Sequence, residues 1–229
     1  MSLALATTWS AKPATASKSS SKLSGEVFAT LINLSGRRRF TSQRVVLYAV
    51  LASKNDPAAL DVARDALRLF TDAHATLIKG NEVLPGVFSP ALQEAYFGLE
   101  HGDRKISEFI ALADRTLHAI ESGWRQVPTL LDELVASTTP LLAILNSITA
   151  IYEKEARSHA SKVKNQLKDV MSEIKAISKH AHLVAFNAQI IAARAGNAGR
   201  EFSVVAGVLT GITGEIDKLV QAALVESGA

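Results

Sequence analysis

The sequence predicts an all-α protein in which a helical bundle continues into an antiparallel coiled-coil hairpin. From Glu26 onward, apolar residues recur at spacings of three and four, without the alternation typical of strands. Signals that begin helices recur along the chain, as at Asn55-Asp56-Pro57 and Ser89-Pro90. The last third carries two heptad patterns on either side of a glycine-containing turn at residues 196–199.

Composition excludes several classes of protein. The 229 residues contain no cysteine, which excludes disulfide scaffolds, thiolate metal sites and cysteine catalysis. Hydrophobic residues make up 48% of the chain, too many for an intrinsically disordered protein. No apolar run reaches the ~18–20 residues that a membrane span needs. We therefore expect a cytoplasmic protein with no membrane span.

Residues 1–24 are predicted to form a disordered tail because they are rich in serine, alanine, threonine and lysine. The tail contains Lys12, Lys18 and Lys22 and no acidic residue. Without these three lysines, the 22 remaining basic residues equal the 22 acidic ones, so the net charge of +3 belongs to the tail. Because nucleic-acid-binding domains are basic in their folded body, we expect no nucleic-acid partner.

Residues 25–157 are predicted to form one helical bundle whose elements are marked by their ends. The first helix ends before Asn55, and the second begins at Pro57 and ends at Gly80. A short helix begins at Ser89-Pro90, and a longer one follows Gly102-Asp103 and ends near Gly123. Another begins near Pro128. Pro140 either kinks that helix or begins a new one behind a Ser-Thr-Thr cap.

Residues 158–229 are predicted to form the coiled-coil hairpin. Apolar residues of the first arm alternate at spacings of four and three: Val163, Leu167, Val170, Ile174, Ile177, Ala181, Val184, Ala188, Ile191 and Ala195. The second arm repeats the pattern: Phe202, Val205, Leu209, Ile212, Ile216, Leu219 and Ala223. A hairpin of this kind leaves a second apolar flank on each arm, which favours a homodimer or higher homo-oligomer built as a four-helix bundle. By periodicity alone, a plain coiled-coil dimerisation segment fits as well.

Polar residues interrupt the apolar stripes of the first helix at mid-length. One stripe contains Phe28, Ile32, Ser35, Arg39, Ser42, Val46 and Ala49, and its neighbour contains Val27, Leu31, Leu34, Arg38, Thr41, Val45 and Tyr48. Arg37, Arg38 and Arg39 span about 200° of the helix, so at least one of them faces inward. Guanidinium groups suit planar oxyanions, which indicates an anion site. The alternatives are a solvated cationic turn, or an arginine paired with Asp65 or Glu94.

Residues 186–206 carry a specific motif at the turn of the hairpin. They read F-N-A-Q-I-I-A-A-R-A-G-N-A-G-R-E-F-S-V-V-A. This segment resembles the cytoplasmic tip of methyl-accepting chemotaxis proteins, with the pattern L-N-A-x-I-E-A-A-R-A-G-E-x-G-R-G-F-A-V-V-A. In that family the tip gathers dimeric receptors into trimers and docks a histidine kinase with its coupling protein. The resemblance therefore implies those two proteins as partners.

The resemblance also implies which residues would contact partners at the tip. They are Phe186, Asn187, Ile190, Arg194, Arg200 and Phe202. Among the departures from the pattern, Ile191 and Asn197 replace glutamates of the family and Glu201 replaces a glycine. These changes bear on kinase control and leave the hairpin prediction intact.

Residues 32–44 of the first helix read I-N-L-S-G-R-R-R-F-T-S-Q-R. They resemble the I-N-L-A-G-R-Q-R-M-L-S-Q-R signature of PilJ-type sensor domains, helical bundles of type IV pilus chemotaxis transducers that are related to nitrate and nitrite sensor kinases. In the nitrate-sensing relatives, the signature arginine binds nitrate where the first helices of two subunits meet. The resemblance implies a small anion as ligand and a binding set of Arg39, Arg38, Ser35, Gly36 and Ser42.

The order of the two resemblances predicts a soluble, chemoreceptor-like signal transducer, in which a sensor precedes a signalling hairpin. The alternative is a structural adaptor or decoy that assembles with chemoreceptor arrays without sensing. No nucleophile–base pairing or metal-ligand spacing indicates an enzyme, a cofactor or a metal site. His180 and His182, two positions apart, lie on different helix faces and make a poor metal pair.

Overall fold

A computed structural model describes residues 23–226, and this part of the chain is α-helical with no β-strand. The all-α prediction is confirmed. The six helices are α1 Gly25–Ala52, α2 Pro57–Lys79, α3 Pro90–Phe97, α4 Gly102–Glu121, α5 Val127–Arg194 and α6 Arg200–Glu226, with a 3-10 helix at Gly196–Gly199. Apart from its last two residues, the predicted disordered tail lies outside the described residues. The chain divides into two compact units between Lys154 and Glu155.

Local capping explains where α1, α2 and α3 begin. Ser24 and Ser89 accept backbone N–H groups of the first turns of α1 and α3 through their hydroxyls. Asp56 does the same for α2 with its carboxylate, and Pro57 follows as the first helical residue. Gly80 ends α2 at a φ of 73°, in the left-handed region that glycine tolerates. These ends match the sequence prediction.

Contacts between side chains define the first unit as an up-down-up-down bundle of α1, α2, α4 and the start of α5. Arg64 and His74 of α2 contact Glu121 and Asp103 of α4, so those two helices are antiparallel. Arg115 near the end of α4 pairs with Glu133 near the start of α5, so these two helices are antiparallel as well. Short loops join α1 to α2 and α4 to α5, whereas the connection from α2 to α4 contains α3.

Large apolar side chains fill the centre of this bundle. Phe70 and Phe109 pack edge to face with ring centroids 5.5 Å apart. The fully buried members around them include Leu31, Leu77, Leu92, Ile106, Leu134, Leu145 and Ile148. Each such side chain contributes about 1.5–3 kcal/mol of hydrophobic stabilisation. This hydrophobic stabilisation offsets the free-energy cost of burying a small number of polar residues in the core.

Helix α5 continues through Pro140 without a break, so the interpretation of a new helix start at this position is wrong. The Ser137 and Thr138 hydroxyls donate to the Leu134 carbonyl within the helix, at 2.7 and 3.3 Å. They bond back along the preceding turn instead of capping a new one. Proline has no N–H, so the Ala136 carbonyl lacks its usual donor four residues on.

An 18-residue window within α5 has a mean hydropathy of 1.6 and few charges, and 28% of it is buried. By length and composition alone, α5 is able to cross a membrane. A core helix of a bundle passes the same test, and Leu134, Leu145 and Ile148 of α5 lie in the core. The absence of a membrane span stays a prediction.

In the second unit, small side chains line the contact between the two arms of the hairpin. The buried residues recur every seven positions: Ser178, Ala185, Ala192, Gly199, Ala206, Thr213 and Val220. Half-buried Ile174, Ala181 and Ala188 complete the contact on α5. The predicted seam is therefore right only at its half-buried members, which are Ile174, Ala181, Ala188, Leu209, Ile216 and Ala223. Ile177, Val184 and Ile191 point away from the other arm, because the small neighbours that follow them allow the helices to approach closely.

Candidate functional site

A buried polar cluster interrupts the core of the first unit at the arginines of α1. The inward stripe of α1 steps by three and four through Phe28, Leu31, Ser35, Arg38, Ser42, Val45 and Ala49. Arg38 is 0% exposed, whereas Arg37 and Arg39 are exposed. Of the three arginines, the one that faces inward is therefore Arg38. Burying a guanidinium costs several kcal/mol unless its N–H groups and charge are compensated.

Arg38 is held by three side chains from three helices. Its Nη1 donates to Nδ1 of His74 at 3.1 Å, and its Nη2 donates to the Tyr96 hydroxyl at 3.1 Å and to Ser35 Oγ at 3.2 Å. The guanidinium carbon also lies 5.8 Å from the centre of the Tyr96 ring, within cation–π range. None of the ion pairs among residues 23–226 joins Arg38 to a carboxylate.

The hydrogen bonds fix the tautomer of His74. Arginine only donates, so Nδ1 of His74 accepts and carries no proton. Its Nε2 lies 3.0 Å from Oδ1 of Asp103 and therefore donates to that carboxylate. A neutral imidazole thus connects the buried cation on α1 to a partly exposed anion at the start of α4. Asp103 supplies the negative charge that compensates Arg38, and His74 lies between the two charged groups.

This arrangement opposes protonation of His74. Burial, followed by the nearby charge of Arg38, lowers the pKa of His74 to about 4, and Asp103 raises it only in part. A second proton on the ring would sit at Nδ1 and face the guanidinium. Protonation would therefore remove the Arg38–His74 hydrogen bond and leave two cations side by side.

A second chain of hydrogen bonds runs from Arg38 to α5. Thr149 Oγ1 donates to the Leu145 carbonyl at 2.7 Å. It must therefore accept the bond that joins it to Ser35 Oγ, at 2.9 Å. Ser35 in turn accepts from Arg38. The hydrogen bonds of the cluster connect the middle of α1 to α2, α3, α4 and α5. A displacement of Arg38 would therefore alter contacts with every other helix of the bundle.

Two buried donors of this cluster have no hydrogen-bond partner, Arg38 Nε and the Tyr152 hydroxyl. Burial raises the pKa of Tyr152, and so does its neighbour Tyr96, although the Tyr152 hydroxyl does not reach hydrogen-bond geometry. Tyr152 therefore keeps its proton and is a donor. Two unpaired donors, one of them on the buried cation itself, make this part of the core short of acceptors.

The other predicted ligand-binding residues lie apart from this cluster. Arg39 is exposed, and its Nη1 donates to Oδ1 of Asn146 on α5 at 3.2 Å. A Cβ added at Gly36 would lie 3.4 Å from Nη2 of Arg39, in van der Waals contact, so Gly36 lies directly beside that side chain. Ser42 is buried and donates to the Arg39 carbonyl at 2.9 Å. The predicted set therefore splits into the hydrogen-bonded inner pair, Arg38 and Ser35, the buried Ser42 on the same inward stripe, and an outer group of Arg39 and Gly36.

Sequence reasoning missed four residues of the inner cluster: His74, Tyr96, Asp103 and Thr149. His74, Tyr96 and Thr149 lie 36 to 114 positions away from their partners on α1. Asp103 lies 29 positions from its partner His74. No local motif identifies them. The sequence signal that existed was an interrupted apolar stripe on α1, which requires polar partners somewhere in the fold.

The predicted tip residues all lie on the surface of the second unit. Phe186, Asn187, Ile190, Arg194, Arg200 and Phe202 are exposed. The turn between the arms places Gly196 at a φ of 57° and buries Gly199. A Cβ at Gly199 would overlap the Ala192 carbonyl, so the close approach of the two arms requires glycine at this position.

Two rows of large apolar side chains on the hairpin are exposed; we call them the outer rows. On α5 they are Val163, Val170, Ile177, Val184 and Ile191, and on α6 they are Val205, Ile212 and Leu219. Each member on α6, and each from Ile177 onward on α5, directly precedes a buried position of the hairpin. Because the arms are antiparallel, this common offset of about 100° turns both rows toward the same side of the hairpin. Together they form one apolar face.

A polar layer lies between the arms beneath that face. Ser178 Oγ donates to the Thr213 carbonyl at 3.0 Å. The Thr213 hydroxyl donates to the Thr210 carbonyl at 2.9 Å and lies 3.4 Å from Nδ1 of His182. A hydrogen bond between buried polar groups at one height disfavours a shift of one arm along the other.

Residues 23–226 contain no group of three or more histidine, aspartate or glutamate side chains arranged to hold a metal ion. Comparison with protein-family models, with curated proteins and with solved structures finds no significant match. The two resemblances therefore stay predictions.

Proposed function

We propose that this chain is a cytoplasmic, non-enzymatic signal transducer that assembles as a homodimer or higher homo-oligomer through its hairpin and senses a small anion beside α1. The observation that carries this proposal is the apolar face formed by the outer rows. Ile177 is 68% exposed and Leu219 is 70% exposed. Exposure of this many large apolar side chains to water is unfavourable, and a surface of this kind marks a site of protein–protein interaction.

A second copy of the hairpin is the occupant that the face suits. Two antiparallel hairpins that bring their outer rows together form a four-helix bundle. Because the face is the same on both copies, a two-fold axis makes it self-complementary. Burying β-branched and leucine side chains contributes about 25 cal/mol per Å² of apolar surface. The outer rows then form the core between the two hairpins, and the small seam stays the contact within each hairpin.

The anion site is supported by the excess of donors and positive charge around Arg38 and Arg39. Arg39 presents an exposed guanidinium beside Asn146, while Arg38 lies buried with an unpaired Nε. An anion that binds at Arg39 would be held by the residues of the outer group. A shift of α1 would then reach all other helices of the bundle through the hydrogen bonds of Arg38. This gives ligand binding a route to helix packing.

Calorimetry and thermal shift with nitrate, nitrite and related small anions test the sensing part. We expect at least one anion to give heat and to raise the melting temperature of the wild type. Arg39→Ala should abolish both effects, whereas Arg44→Ala, a matched exposed arginine on the same helix, should keep them. No heat and no thermal shift across a broad panel would refute the sensing role.

The tip supplies the proposed output. Phe186, Ile190 and Phe202 present exposed apolar side chains near Arg194 and Arg200, a combination that suits a protein partner. By the resemblance, that partner is a chemotaxis-type histidine kinase with its coupling protein. A pull-down with both proteins should retain the wild type and lose Phe202→Ala. The control Phe40→Ala removes an equally exposed phenylalanine from the first unit and should have no effect.

A non-sensing adaptor or decoy of chemoreceptor arrays is the second candidate. The observation that favours it is that the Nη groups of Arg38 are already occupied by side chains of the chain itself. An adaptor would bind the kinase complex or the receptors through the tip and show no response to any anion. The same two experiments therefore separate the candidates.

A further inference from the structure

A cleft of about 350 Å³ lies between α4 and α5 in the first unit. It does not include Arg38, Arg39 or any residue bonded to them. Its floor and walls are mainly apolar, with residues of both helices: Lys105, Phe109, Leu112, Pro140, Leu141 and Ile144. A pocket of this volume, apolar with a few polar groups at its edge, is typical of small-ligand sites.

Pro140 and the core account for the shape of the cleft. Phe109 and Leu141 are buried and close its inner side. Pro140 lies on its wall, and its ring stands where α5 would otherwise make a helical hydrogen bond to the Ala136 carbonyl. The short ring of Pro140 and the half-buried Ile144 leave the outer side open.

Charge at the rim favours one kind of ligand. The Lys105 side chain is 43% exposed, and its ammonium pairs with Glu100 at 3.6 Å, a carboxylate whose side chain is 82% exposed. A pair of this kind contributes little and is readily exchanged. Glu108, the other charged residue of the rim, pairs with Arg104 at 3.6 Å, and both side chains are largely exposed. Of the two charged rim residues, Lys105 has the less exposed side chain, 43% against 67% for Glu108, so the cation lies closer to the apolar floor than the carboxylate does.

We propose that this cleft binds a small amphiphilic monocarboxylate. Its apolar part would lie on Phe109, Leu141 and Ile144, and its carboxylate would replace Glu100 at Lys105. The ligand differs in class from the small anions proposed for Arg39, and this second site does not depend on the proposed function. Its apolar body selects against nitrate-sized ions, and the lysine selects against neutral amphiphiles.

Titration of the full chain with octanoate tests the proposal, with octanol as the neutral ligand of equal chain length. We expect saturable octanoate binding to the wild type. Lys105→Gln should weaken octanoate binding about tenfold, the effect of losing a hydrogen bond to a charged group, and leave octanol binding unchanged. Lys79→Gln removes a matched exposed lysine from α2 and should change neither ligand.

A variant that fills the cleft tests its position. Ile144→Trp should reduce the binding of both ligands while the circular dichroism spectrum stays that of the wild type. If Ile144→Trp does not fold, the surface variant Lys105→Gln still decides the question. The proposal is wrong if octanoate binding does not saturate, or if Lys79→Gln weakens octanoate binding as much as Lys105→Gln does.

Discussion

Acidification from pH 7 to pH 5 is expected to destabilise the first unit through His74. The unfolded chain takes up a proton on this residue near pH 6.5, whereas the folded chain does so only near pH 4. Because the unfolded state binds more protons between these values, the contribution of His74 to stability falls as the pH falls through this window. For these two pKa values the loss between pH 7 and pH 5 is about 2 kcal/mol.

The groups that face His74 come from three other helices. Arg38 of α1 opposes protonation, Asp103 of α4 favours it, and Tyr96 of α3 packs with its ring centroid 6.1 Å from the imidazole. Of the causes, burial is the largest, and it is fixed by packing. The sign of the effect therefore does not depend on the salt concentration of the buffer.

Urea denaturation at pH 7 and pH 5 measures the effect on the wild type and on His74→Gln. Glutamine keeps an acceptor for Arg38 but does not titrate, so the variant should lose about 2 kcal/mol less than the wild type. His180→Gln, an exposed histidine of the second unit, is the control and should behave as the wild type. An equal pH dependence of the wild type and His74→Gln would refute the assignment of a neutral, buried His74.

Three further predictions concern packing and caps. Phe70→Ala should lower the free energy of unfolding by about 3–5 kcal/mol in urea denaturation, because Phe70 is fully buried. Gly199→Ala should lower the helicity and melting temperature of the hairpin because its Cβ meets the Ala192 carbonyl, whereas Gly211→Ala, with open space around it, should raise stability by about 1 kcal/mol. Asp56→Ala should cost about 1 kcal/mol through loss of the α2 cap, measured in the same way.

Helix ends could be predicted because their signals are local. A cap such as Asp56 or Ser89 and a following proline act within one turn, so neighbouring residues suffice. Pro140 was ambiguous for the opposite reason. Whether a proline breaks a helix depends on the packing around it, and α5 continues through this point with Leu134, Leu141 and Leu145 packed in the core.

The inward arginine could not be assigned from the sequence because two heptad stripes of α1 are equally apolar. Arg38 and Arg39 differ by about 100° around the helix, and only the positions of the other helices decide between them. The partners of Arg38 come from α2, α3 and α1 itself, so no local pattern reveals them. The resemblance pointed to Arg39, which lies outside the buried cluster.

The seam of the hairpin was predicted one residue out at alternate positions because the prediction favoured large apolar residues. Ser178, Ala185 and Ala192 are less hydrophobic than Ile177, Val184 and Ile191, which precede them. Two antiparallel helices gain more contact when their backbones approach closely over small residues. The larger side chains then remain outside for another helix pair.

The apolar face of the hairpin is tested most directly by cross-linking, which the absence of native cysteine makes clean. Single variants Ile177→Cys, in an outer row, and Lys179→Cys, about 160° away on α5, are treated with a short bismaleimide after their secondary structure is verified. The proposed assembly predicts a covalent dimer with Ile177→Cys at micromolar concentration and little or none with Lys179→Cys. A monomer for both variants, with a monomeric mass for the wild type by sedimentation equilibrium, would contradict it.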